Sequence, residues 1–128
     1  MIDASVWVAA GMPVNPSYAE ASALVQGRVA VSALDLTLYE VINAVGRQYR
    51  QPEVARRLVQ AILGTCGDDL LRVDRALATE LADVVEEHGL SSYDAAYVAA
   101  ARRYGWQLVS LDLVSKGLAV TPDAALYP

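Results

Sequence analysis

The alternation of apolar and polar positions divides the chain into short β-branched runs and longer stretches of helical period. Five runs read as strands: Met1–Ile2, Val29–Ser32, Leu70–Val73, Gln107–Leu111 and Leu118–Thr121. Helical patterns fill the intervals. Tyr18–Val25 follows Pro16-Ser17, a capped start. Across Leu36–Tyr49 the apolar residues Leu38, Val41, Ile42 and Val45 recur at helical spacing. Glu53–Leu63 follows Pro52 and is predicted to end at Gly64. Asp74–His88 and Tyr93–Tyr104 are predicted to stop at Gly89 and Gly105. Strands alternating with helices predict an α/β domain with a mainly parallel sheet and helices on both faces. Ligands of such sheets lie at the carboxyl ends of the strands, so candidate chemistry is sought there.

With 128 residues, 55% of them hydrophobic, the chain suits one domain, 1–128, that buries its own core. No internal repeat or linker interrupts it. The apolar stretches Val6–Val14 and Ala95–Ala101 fall short of the ~18 residues a membrane helix needs, so no membrane partner is expected. Met1-Ile2-Asp3 lacks the basic opening of a signal peptide, and the single Cys66 excludes an internal disulfide or a multi-cysteine zinc site. A cytoplasmic location follows as the expectation. The net charge is -5, and nine of the ten basic residues are arginine. Arg47, Arg50, Arg56 and Arg57 cluster within eleven residues, interrupted by one acid, Glu53. An acidic chain has little general affinity for phosphate backbones. It can hold nucleic acid through a local arginine patch or through cations on its carboxylates; the same arginines also read as a solvated face.

Four carboxylates fall where the fold class places a site. Asp3 and Asp112 follow the strand candidates Met1–Ile2 and Gln107–Leu111, Asp94 lies in the first turn of a helix after Ser91, and Glu40 lies about one turn into the helix after Val29–Ser32. Each has a plain structural reading. Asp3 fits an N-cap, Asp94 a capping box with Ser91, Asp112 a turn and Glu40 a solvated surface position. However, Glu40 in Leu38-Tyr39-Glu40-Val41-Ile42 and Asp94 in Tyr93-Asp94-Ala95-Ala96-Tyr97 have apolar neighbours, where a carboxylate is costly unless paired or bound to a cation.

These segments resemble the PIN-domain proteins, specifically the VapC-like toxins of type II toxin–antitoxin systems. Met1-Ile2-Asp3-Ala4-Ser5 is similar to their opening, and Leu38 to Val45 to their second acidic motif, with Asn43 three residues after Glu40. Ser92-Tyr93-Asp94-Ala95-Ala96-Tyr97 resembles their most recognisable segment, and Leu108-Val109-Ser110-Leu111-Asp112 the fourth, with Ser two residues before Asp. The resemblance runs through the chain in order. It departs after Asp112, where Leu113-Val114-Ser115 stands in place of a charged stretch. It implies a three-layer α/β/α sandwich that hydrolyses RNA phosphodiester bonds with Mg²⁺ or Mn²⁺. Asp3, Glu40, Asp94 and Asp112 would form the acidic metal pocket, Ser110 would support it, and Ser5 and Asn43 would flank it. It also implies a homodimer and a VapB-like antitoxin.

The residue types suit that chemistry. Hard divalent cations take oxygen ligands and neutralise charge on a phosphoryl group, whereas the chain lacks the His and Cys set zinc prefers. His88, at a helix end before Gly89, reads as a dipole partner. Arg47 and Arg50, beyond Glu40 on the same predicted helix, are candidate RNA contacts. Tyr18–Val25 and Leu36–Tyr49, with Leu38, Tyr39 and Tyr49, are candidates for a partner surface or for core. Two other readings compete. A catalytically silent PIN-like binding module would share the fold. A phosphate-receiver domain would need an acidic pair after its first strand, yet Asp68-Asp69 precedes a strand candidate and Lys116 follows Asp112 in a loop.

Overall fold

The structure, a computed structural model, describes residues 1–27 and 30–112. Val29, which opens the second strand candidate, and the whole of Leu118–Thr121 lie outside the described residues. The chain divides into two compact units: Ile2–Leu71, and Met1 together with the residues from Arg72 onward.

In the first unit, α1 (Ala4–Gly11) is apolar nearly all round, and such a helix is stable only when covered. It packs against α2 (Tyr18–Gln26), α3 (Leu36–Val41) and α4 (Pro52–Cys66), burying Val6, Trp7 and Ala9. Contact with α4 is close: a Cβ on Gly11 would lie 2.5 Å from Leu58 Cδ1 and 2.8 Å from its Cγ. Helix α2 starts after Ser17 as expected, but without a side-chain cap. Instead the Ser17 N–H donates to Asn15 Oδ1 at 2.9 Å.

The parallel pairing joins β1 (Ala33–Leu34) to β2 (Leu70–Leu71), Ala33 opposite Leu70 and Leu34 opposite Leu71. Asp35 N–H extends the ladder to Leu71 O at 2.7 Å, and Ile2 N–H donates to Ser32 O at 2.8 Å. The strand expected at Val29–Ser32 is thus registered later, because its pairing is set by where Leu70–Leu71 lies rather than by β-branching. The fold class is α/β with parallel pairing, as predicted, and its strands are shorter than the apolar runs suggested.

Helix α3 continues directly into a π-helical segment, Ile42–Gln48, with Tyr49 N–H bonded to Ala44 O at 3.0 Å in i→i+5 fashion. The stretch is helical as the spacing predicts, with the wider turn in its second half. Thr37, Val41 and Val45 are fully buried, while Ile42, one of the apolar residues at helical spacing, is 48% exposed. Helix α4 carries its buried face on Ala55, Leu58, Ile62 and Cys66. It runs through Gly64, which was expected to stop it, because that face needs the last turn to bring Cys66 inside. Burial, with the Asp69 carboxylate adding to it, pushes the Cys66 thiol up to about 11, so it is a neutral core group.

In the second unit, α5 (Arg75–His88) packs on α6 (Ser92–Tyr104). Both end on glycines in the left-handed region, Gly89 at φ 64° and Gly105 at φ 65°, as the sequence predicts. Every residue from Asp94 to Ala101 is buried. The pair is clasped on its exposed edge by Arg102–Glu87 at 2.8 Å and Arg103–Asp74 at 3.3 Å, and His88 Nε2 joins the first cluster at 3.0 Å from Arg102. The Met1 ammonium donates to Gln107 O, and Val109 N–H to Met1 O, each at 2.9 Å. Among the described residues, no helix is long and apolar enough to cross a membrane.

Candidate active site

Asp3 is 3% exposed and forms the N-cap of α1. Its Oδ1 accepts from Ser5 N–H at 3.1 Å, Val6 N–H at 3.4 Å and the Ser5 hydroxyl at 2.5 Å. The cap reading is therefore correct, and it fixes the orientation of the carboxylate. Ser5, a flanking candidate, is one of the groups that fixes it.

Glu40 lies half-buried on α3, between the exposed Tyr39 and the fully buried Val41. One residue beyond α3 the π-helical segment begins and carries Asn43 and Arg47, whose side chains meet at 3.4 Å between Arg47 Nη1 and Asn43 Oδ1. Arg50 departs from its expected place. The helical stretch ends at Gln48, and Arg50 is an exposed loop residue at φ 55°, a sparsely populated conformation for a side-chain-bearing residue. Pro52 explains the break, since it cannot continue the ladder and pushes Gln51 away from helical geometry.

In the second unit Asp94 sits in the first turn of α6 and is 9% exposed. Its N–H donates to Ser91 Oγ at 3.2 Å, the capping interaction the sequence predicts. Ser110 is fully buried, and Asp112 is exposed at the end of the described residues.

The donor set is one of carboxylate and hydroxyl oxygens, the kind that Mg²⁺ and Mn²⁺ take. Mg²⁺ is commonly held by one or two carboxylates with water completing its shell, so the residue types fit such an ion. Within neither unit do three His, Cys, Asp or Glu side chains of the described residues group closely enough to hold a metal ion by themselves. Two of the four acids, Asp3 and Asp94, are more than nine-tenths buried, where a carboxylate is stable only with donors or a cation around it.

Sequence reasoning passed over one feature of this region. The π-helical segment and α4 line an open groove of about 730 Å³, with Tyr39, Ile42, Asn43, Arg47, Arg56 and Gln60 among its residues. The π-helical segment that lines it left no mark in the hydrophobic pattern. The exposed Tyr39 next to an acid was the available signal.

The family model of the PIN domain matches residues 1–118. Among solved structures, PAE2754 from Pyrobaculum aerophilum is 27% identical, with a TM-score of 0.68 over 98% of this chain and 87% of that one. The Mycobacterium tuberculosis toxin VapC20, described as cleaving the sarcin–ricin loop, is 19% identical, with a TM-score of 0.69 over 94% of this chain and 96% of its own. No curated protein sequence matches the chain.

Proposed function

The chain belongs to the PIN-domain family, and from that premise we propose that it is a Mg²⁺- or Mn²⁺-dependent endoribonuclease, the toxin of a VapBC-type pair. The observation that carries this reading is the burial of Asp3 and Asp94 at the starts of two helices, each at the position where the family's motif has its acid. Residues 1–128 act as one PIN domain in this reading. It is cytoplasmic, forms a homodimer, and is silenced by a VapB-like antitoxin. The toxin reading draws on the fold it shares with VapC20, a toxin described as cleaving the sarcin–ricin loop.

Asp3, Glu40, Asp94 and Asp112 hold the cation, and Ser110 supports them. When bound, Mg²⁺ or Mn²⁺ lowers the pKa of a water and neutralises charge on the phosphoryl oxygens. Ser5 and the α1 backbone hold Asp3 Oδ1 in one orientation, so the carboxylate does not reorganise during turnover. Ser91 does the same for the first turn of α6 that carries Asp94. Arg47, steadied by Asn43, and Arg50 bind phosphates of the substrate strand.

The other reading, a catalytically silent PIN-like module, shares the fold and differs in cleavage. Incubating the purified chain with a mixed RNA pool, in Mn²⁺ or in chelator, and mapping new ends separates the two. New ends that require Mn²⁺ and vanish in Asp94→Asn are expected. Metal-independent ends, or none, overturn the nuclease. The receiver reading fails already, because Asp68 and Asp69 form a turn ahead of β2 and the family match lies elsewhere.

A further inference from the structure

The groove lined by the π-helical segment and α4 has a composition unlike a core defect or a solvated face. Tyr39 is 76% exposed at its rim, and Ile42 is 48% exposed. Leaving a tyrosine and an isoleucine in water side by side forgoes burial that elsewhere stabilises this chain. The same groove is lined by two amides, Asn43 and Gln60, and two guanidinium groups, Arg47 and Arg56. Arg56 is ion-paired with Glu53, whereas Arg47 takes part in no ion pair among the described residues. Arg50 and Arg57 lie nearby in sequence, so four of the nine arginines of an acidic chain fall within eleven residues here. A flat apolar face, side-chain amides and an unneutralised guanidinium are the groups that bind an unpaired nucleotide: the ring stacks, the amides meet base edges, and the cation takes the phosphate.

We infer that this groove is a base-binding subsite for single-stranded RNA, in which a nucleobase stacks on Tyr39, Asn43 and Gln60 face its edge, and Arg47 holds the adjoining phosphate. The inference rests on the ribonuclease reading and adds to it a determinant of which nucleotide is accepted. Tyr39 precedes Glu40 in the chain, on the same helix.

The test reads binding of a short, dye-labelled single-stranded oligoribonucleotide by fluorescence anisotropy in chelator. The groove contains none of the metal-holding acids, so binding there needs no cation. Tyr39→Ala is expected to weaken binding by about 5- to 100-fold, and Tyr39→Trp to retain it, because stacking needs a ring rather than a hydroxyl. The same strand with abasic sites should bind weakly to all three proteins. Arg47→Ala should weaken both strands and flatten the salt dependence of affinity, as loss of one phosphate contact does. Unaltered melting of Tyr39→Ala establishes that the fold is intact. If the wild-type chain cleaves RNA in Mn²⁺ but Tyr39→Ala binds as tightly as wild type, the subsite is refuted and the nuclease stands. If the wild-type chain neither cleaves in Mn²⁺ nor binds in chelator, both fall. If Tyr39→Ala turns a dimer into a monomer with RNA affinity unchanged, the groove belongs to a second copy of the chain.

Discussion

Asp3 is both a helix cap and a proposed metal ligand, and two substitutions separate the roles. Asp3→Ala removes the acceptor of three hydrogen bonds, from Ser5 N–H, Val6 N–H and the Ser5 hydroxyl. Loss of an N-cap costs about 0.5–2 kcal/mol. Here the upper end applies, because the site is 3% exposed and water cannot replace the lost partner. Stranding the Ser5 hydroxyl as well brings the expected loss to about 2–3 kcal/mol, or roughly 10 °C in melting temperature for a domain of this size. Asp3→Asn keeps an oxygen in the same place and is an equally good cap, so it should cost about 1 kcal/mol or less, the charge-assisted part of the bonds. Its cleavage of RNA should nevertheless fall by at least about a hundredfold, since even partners of metal ligands are worth 10- to 100-fold. Melting curves with and without Mn²⁺ complete the assay. The wild type should be stabilised by the ion, by about 2.7 kcal/mol at a hundred times its dissociation constant, and Asp3→Asn much less. An Asp3→Asn protein that cleaves at nearly the wild-type rate would make Asp3 a cap and nothing more. An Asp3→Ala protein that melts with the wild type would refute the energetic argument for the cap.

Gly11→Ala should destabilise the chain by about 1–3 kcal/mol in urea titrations, because the new methyl meets the buried Leu58 side chain, and Leu58→Ala in the same chain should recover part of that loss. The acid limb of stability should depend on Asp74 and Glu87. The Leu77 N–H, chiefly, and Arg103 hold the Asp74 carboxyl below its usual range, and the Arg102 guanidinium does so for Glu87. Groups with lowered folded-state pKa values stabilise the fold at neutral pH, and that contribution fades as pH falls below about 4 through their folded values. Asp74→Asn together with Glu87→Gln should therefore lower stability at pH 7 and flatten its fall toward pH 3. An unchanged acid limb would show that these pairs add nothing to folding.

How much of the fold was legible depended on whether its signals were local. The starts and stops of α5 and α6 follow from Asp74, Ser91, Gly89 and Gly105, each acting within a turn of its own position, and all four behave as their residue types predict. Gly64 failed as a stop, because glycine costs an α-helix only about 1 kcal/mol and burying Ile62 and Cys66 outweighs that. The strands were misplaced for a similar reason. A parallel pair is formed by residues far apart in sequence, and Leu70–Leu71 selects Ala33–Leu34 over the more β-branched residues before it. The apolar spacing of Leu36–Tyr49 reads as one helix of 3.6-residue period, yet Ile42–Gln48 is π-helical. Nothing in its composition announces the wider turn.

The candidate site was legible in a different way. Every acid singled out has a plain structural role available, and for Asp3 and Asp94 that role is realised. This does not compete with metal binding. A carboxylate that must sit buried before a cation arrives needs donors to offset its desolvation, and the first turn of a helix supplies unpaired N–H groups. The cap fixes Asp3 through Oδ1, on the donors of one short segment. A side chain held in that way loses little further entropy when it takes a ligand. The cap and the proposed metal site are then consecutive requirements on the same residue, which is why Asp3→Asn, which preserves one and removes the other, distinguishes them more sharply than deletion of the side chain.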